Sequence, residues 1–161
     1  MNEYNKNPNY QKDKSKTDYQ NKNFNSITVT IPFDANWIKE EINDLTIQYA
    51  NEFGGKIANR GKGLTTSQIR IFFGEIRRIQ MNGFNKEFSS FLLLEPKLAY
   101  AVKRKTNTQG REELEEFYKF FQKCKNAMDL DDKSKRVKQF INLVQIMEAI
   151  IAYHKYHGGK E

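Results

Sequence analysis

Three features of this sequence predict an all-α fold: a compact bundle of five or six helices behind a disordered N-terminal arm. The longest apolar stretch, FINLVQIMEAIIAYHKYH at 140–157, contains neither glycine nor proline. Elsewhere apolar residues recur every three or four positions, between helix start and stop signals. Only one run, SITVTI at 26–31, has strand composition, and a lone strand has no partner. It is expected to be an extended lead-in.

Residues 1–26 form the arm. Seven asparagines alternate there with Lys6, Lys12, Lys14, Lys16 and Lys22, and the apolar surface is too small to offset chain entropy. Residues 27–161 form the helical domain. Pro32 and Asp34 announce the first helix, expected at 36–52, with Trp37, Ile38, Ile42, Leu45 and Tyr49 on one face and Gly54-Gly55 as its stop. Thr65 and Gln68 form a capping box for a second helix at 66–81, whose core face is Ile69, Phe72, Phe73, Ile76 and Ile79. A short helix at 85–94 buries Phe84, Phe88, Phe91 and Leu92. Pro96 suits the first turn of a fourth helix at 96–106, with Leu98, Ala101 and Val102 inward.

Thr106 to Gly110 reads as a loop. A fifth helix, 111–128, aligns Leu114, Phe117, Phe121, Cys124 and Met128, with its acids first and its lysines last, as the helix dipole favours. A sixth, from about 134 to 158, holds the long apolar stretch. At 100° per residue, Phe140, Leu143, Val144, Met147, Ile150, Ile151 and His154 fall within a stripe of about 120°. Ile146, Ala149 and Tyr153 keep its back apolar too, so this helix is expected to be enclosed on several sides.

The 161 residues favour one domain, and 27 lysines and arginines against 20 acids give a charge of +7. That balance points to a polyanion, and nucleic acid is the commonest one. The lone Cys124 excludes a disulfide framework and by itself makes no zinc site, so a reducing, cytoplasmic setting follows. The sequence has no run long and apolar enough to span a membrane and no secretory signal pattern, so no membrane partner is expected.

The basic residues are unevenly distributed. Between Glu52 and Glu75 lie Lys56, Arg60, Lys62 and Arg70 with no acid among them. Between Glu95 and Glu112 lie Lys97, Lys103, Arg104, Lys105 and Arg111, again with none. With Arg77 and Arg78 on the second helix, these side chains suit contacts to a sugar-phosphate backbone, which need charge and reach but no base reading. Tyr100, inside the second block, is able to stack on a base, although a position at the edge of the core is the plainer reading.

No catalytic constellation or cofactor is expected. Glu112, Glu113, Glu115 and Glu116 resemble the acidic helix of all-α, magnesium-dependent nucleotide pyrophosphatases. A second acidic pair on a facing helix is missing, and only Asp129, Asp131 and Asp132 are available. His154 and His157 lack further ligands, and Cys124 sits on an apolar face. Glu148 is expected in an ion pair or at a rim, with Arg70 or Arg77 as its cation. A DNA-binding regulator of helix-turn-helix type is the other alternative, weakened by the Phe- and Leu-rich helix after Asn82-Gly83.

Three blocks carry a resemblance: LTTSQIR at 64–70, EPKLAYA at 95–101 and EAIIAYHKYHGGK at 148–160. Together they resemble the small helical subunit of type III-A CRISPR (Csm) effector complexes, over roughly residues 35–161 and without the arm. The resemblance implies a non-catalytic RNA-binding subunit of an antiviral complex. Its partners would be the crRNA and target RNA, other subunits, and copies of itself stacked along the guide–target duplex. Carried over by position, Arg70, Lys97 and Lys155 lie within the matching blocks; the other basic residues rest on charge alone.

Overall fold

The protein is described here by a computed structural model covering residues 28–105 and 109–161. The expected disordered arm and positions 106–108 of the expected loop lie outside these residues. Seven α-helical segments follow in order: α1 (Asn36–Lys39), α2 (Asp44–Ala58), α3 (Thr66–Asn82), α4 (Phe88–Leu92), α5 (Leu94–Arg104), α6 (Arg111–Ala127) and α7 (Lys135–Tyr156). A 3-10 turn, Asn59–Gly61, extends α2, and the described residues contain no strand. The fold is an all-α bundle of five long helices and two short ones.

α7 is the centre. Leu143, Val144, Ile146, Met147, Ile150 and His154 are all fully buried, which places apolar contacts on both its front and its back. α2 packs along most of it, with α1 and α3 on neighbouring faces, while α6 bridges α2 and α5. Aromatic rings fill the joints. Phe33, Trp37, Tyr49, Phe53 and Phe120 interlock beside α2 and α6. Phe84 stacks on Phe140 at 4.2 Å, and Phe91 meets both Phe140 and Phe121 edge-on. Each such side chain contributes about 1.5–3 kcal/mol through its buried area.

The first expected helix, 36–52, starts at Asn36 as expected but is corrected in its middle and at its end. It breaks after Lys39, and Asn43 starts α2 afresh by accepting from the Thr46 amide while Thr46 Oγ1 accepts from the Asn43 amide. The carbonyls exposed by the break are satisfied from the centre of the bundle: Asn142 Nδ2 donates to Ile38 O at 2.9 Å and Glu40 O at 3.1 Å. Leu45, expected on the core face, is therefore 53% exposed.

Gly54-Gly55 does not stop α2, which runs on to Ala58. There Asn59, Arg60 and Gly61 take left-handed φ of 40°, 53° and 78° in succession and end it. The glycines serve packing instead. A Cβ on Gly54 would lie 2.8 Å from both the His154 amide nitrogen and the Ile150 carbonyl oxygen, so α2 and α7 touch backbone to backbone.

Elsewhere expectation and structure agree closely. The Thr65–Gln68 capping box forms, and Ile69, Phe72, Ile76 and Ile79 are buried. Pro96 lies in the first turn of α5, although Leu92 stays at the surface. The lead-in at 28–33 is neither helix nor strand, bends at Ile31 and is fixed by Glu52, whose carboxylate accepts from Thr30 N, Thr30 Oγ1 and Ile31 N. Those bonds, Thr30's hydroxyl foremost, hold the Glu52 carboxyl below its ordinary range. Cys124 is fully buried, and burial pushes its thiol well up, away from the reactive thiolate.

The C-terminal tail closes over α7. His154 Nε2 donates to Leu64 O at 2.8 Å, which leaves Nδ1 buried without a partner. Gly159 lies against the ring, where a Cβ would come within 2.1 Å of Cε1. Thr66 N donates to Lys160 O and Thr66 Oγ1 to Gly159 O, so the tail also clasps the start of α3.

Three effects of this packing are open to urea unfolding. Gly54→Ala and Gly159→Ala each cost about 1–3 kcal/mol through overpacking. Gly74→Ala stabilises by about 0.5–1 kcal/mol, because a Cβ there meets nothing within 4 Å on a helix interior. Burial, followed by the neighbouring Lys155 charge, lowers the His154 pKa below 6.5 against the opposing bond to Leu64. The unfolded chain therefore takes up that proton first as pH falls. Its contribution to stability is intact above the ordinary histidine range and is lost as pH drops below about 6.5. A urea midpoint that falls between pH 7.5 and 5.5, before the carboxylates titrate, checks this.

Candidate nucleic-acid interface

Three segments distant in sequence meet at one end of the bundle. They are the loop from Asn59 to Thr65, the residues around Lys105 and Gly110, and the tail after Tyr156. Gln109 Nε2 donates to Gly61 O at 3.3 Å, and a Cβ on Gly110 would lie 2.6 Å from Gly63 O. The clasp from Thr66 to the tail completes the junction. Lys62, Lys105, Arg111 and Lys160 are carried by these segments, with Lys103 and Arg104 in the last turn of α5.

Their electrostatic surroundings differ. Lys62, Lys103 and Arg104 are exposed and have no carboxylate partner among the described residues. Lys105 is half-buried, and among the described residues its ammonium donates to the Gln68 amide oxygen, 3.5 Å away, and to no carboxylate. Burial pulls its pKa down, and the more distant Glu113 charge opposes that shift. Desolvation without a counter-ion is the condition under which a lysine gains most from an arriving anion.

The other basic candidates are engaged. Arg70 lies 3.8 Å from Glu161, which also pairs with Lys155. Lys97 is 4.0 Å from Glu75, Glu75 also meets Arg78 at 3.4 Å, and Arg78 reaches Glu87 at 3.1 Å. Hydrogen bonds from Ser90, Asn82 and Arg78, in that order, hold the Glu87 carboxyl below its usual range. Arg77 takes Glu148 at 2.9 Å, both half-exposed, so Glu148 is a rim ion pair.

The first acid-free block faces acids in space. Lys56 binds Glu116 at 2.7 Å, and Asn59 Nδ2 donates to Glu113 at 2.6 Å. Arg60 lines the same cavity of about 530 Å³, together with Glu112, Glu113, Glu115 and Glu116. The first turns of α6 pack beside the end of α2, a relation invisible to a charge count along the chain.

Between α3 and α5 lies a groove of about 690 Å³ with Phe72, Leu98 and Leu114 in its floor. Lys97, Arg104 and Lys105 border it. Tyr100, expected at the edge of the core, projects from its wall and is 65% exposed; Ile71 opposite is 75% exposed. Sequence reasoning had no means of pairing these two residues. A surplus of apolar exposure on α3 was the one available signal.

The acids at the start of α6 and those after its end lie apart. Asp129 lies about 25 Å along the α6 axis from Glu112, and Asp132 instead accepts from the Ser134 and Lys135 amides at the start of α7. Among the described residues, no group of three or more His, Cys, Asp or Glu is placed to hold a metal ion. No helix of the described residues is long and apolar enough to cross a membrane.

In comparison with known proteins, the family model described as Csm2 Type III-A matches residues 39–160, about three quarters of the chain. No curated protein and no solved structure matches significantly.

The Lys56–Glu116 and Arg77–Glu148 pairs are expected to matter little for stability, since their side chains are a third to a half exposed. Lys56→Met or Arg77→Met should each shift the unfolding free energy by less than about 1 kcal/mol in denaturant titration.

Proposed function

Because the chain belongs to the Csm2 Type III-A family, we propose that it is a non-catalytic RNA-binding subunit of a type III-A CRISPR effector complex. In this reading the helical domain, 27–161, lies along the crRNA–target RNA duplex in the cytoplasm and contributes to assembly and antiviral defence. It docks to other subunits and to copies of itself, each copy touching a few phosphates of the next segment.

One observation carries the proposal: Lys62, Lys103 and Arg104, without a carboxylate partner among the described residues, lie with the half-buried Lys105 at the end where three loops meet. Flexible cations on loops and a helix end are suited to phosphates, which are recognised by charge with no need for a rigid reading surface. Arg70 and Lys155 border this end and Lys97 lies about two turns before Arg104 on α5; all three hold carboxylates that RNA phosphates would displace. Lys56, Arg60, Arg77 and Arg78 lie against acids and contribute less.

The alternatives fare worse on geometry. The helix after Gly83 is the five-residue α4, anchored by the buried Phe91, and offers no surface for a major groove. Three of the four glutamates of α6, Glu113, Glu115 and Glu116, already serve Asn59, Lys119 and Lys56.

The test is RNA affinity measured against salt. Replacing Lys103, Arg104 and Lys105 together with alanine should weaken binding and lower the slope of log affinity on log salt by roughly 2–3. The urea midpoint should hardly move. Unchanged affinity and slope would remove this face from the proposal. Glu161→Gln, which frees Arg70 and Lys155, should raise affinity in the same titration.

A further inference from the structure

The groove between α3 and α5 combines features that bare phosphate binding does not require. Its floor is apolar, its walls carry the exposed Tyr100 and Ile71, and cations stand at its rim. On α5, Lys97, Tyr100 and Arg104 follow at three- and four-residue spacing, so they share one helix face. Tyr100 makes no hydrogen bond or ring contact within the described residues, and nothing internal explains its position. We propose that this groove seats one unpaired RNA nucleotide, with the base against Tyr100 and Ile71 and the flanking phosphates on Arg104 and Lys105.

Charge decides between this occupant and an apolar protein helix. The rim carries Lys97, Arg104 and Lys105 against the single carboxylate of Glu75, which already serves Arg78 and Lys97. The ligand is therefore both anionic and flat-faced, a combination that a nucleotide supplies in one unit. A groove of about 690 Å³ is within the range that holds small ligands. Stacking on tyrosine accepts any base, so the subsite tolerates sequence variation along a guide. Lys105 adds to this, since a phosphate beside it replaces the solvation that burial removed.

The inference rests on the RNA-binding reading, and the experiment separates the two. The full chain is titrated into a duplex RNA that is fully paired, and into the same duplex bearing one unpaired 2-aminopurine nucleotide. The expected result is tighter binding of the second duplex by roughly 5- to 100-fold, with quenching of the probe. Tyr100→Ala should abolish the preference and the quenching but keep the salt dependence. Tyr100→Phe should retain both, and Arg104→Ala should weaken binding of both duplexes. Equal affinity for the two duplexes, with unquenched probe, overturns the groove assignment and leaves the family-based reading standing. So does a Tyr100→Ala chain that binds RNA normally but loses concentration-dependent self-association, which would assign the groove to a second copy. Absence of any salt-dependent RNA binding overturns both.

Discussion

The molecule depends on the close contact of α2 with α7 at Gly54. Two helix backbones come together there because one of them lacks a side chain, and a Cβ would meet main-chain atoms that have nowhere to move. The contact places His154 beneath the loop after α2, where its Nε2 bond to Leu64 O fixes that loop from inside. Gly159 then closes over the same ring. One buried imidazole thus joins α7, the loop before α3 and the C-terminal tail. A neutral histidine suits this joint: one nitrogen donates, and the other avoids the proton that burial disfavours.

This joint also makes the basic end. The tail cannot reach Thr66 unless α7 lies flush on α2, and the residues around Gly110 cannot rest on Gly63 unless that loop is held. Lys62, Lys105 and Lys160 are brought to one end by packing, and their mutual repulsion is tolerated because most of their charge stays in water. In the proposed function, a firm body would set the spacing of contacts along RNA, while long cationic side chains would adapt to irregularities of the backbone.

Acids are absent from the sequence between Glu52 and Glu75, yet Lys56 and Asn59 of that block meet Glu116 and Glu113, more than fifty positions away. In the second block, between Glu95 and Glu112, Lys97 meets Glu75, whereas Lys103 and Arg104 have no carboxylate partner among the described residues. Two stretches that look alike as strings of charge end up as different surfaces. The same holds for the aromatic residues: Phe72 and Tyr100 both follow helical spacing, but one is in the floor of the groove and the other stands out from its wall.

The sequence by itself determined the helix class, the capping box at Thr65 and Gln68, the buried face from Ile69 to Ile79, the inert Cys124 and the enclosed character of α7. Each depends on neighbours within one or two turns, where chain geometry alone sets what touches what. Tertiary structure alone decided the break at Glu40, satisfied by Asn142 about a hundred residues on, and the use of Gly54 for packing instead of termination. It also decided which lysines keep their charge free and that Tyr100 faces Ile71 across a groove. These depend on which helices come to lie side by side, a global outcome of burying the whole apolar surface that no local spacing encodes.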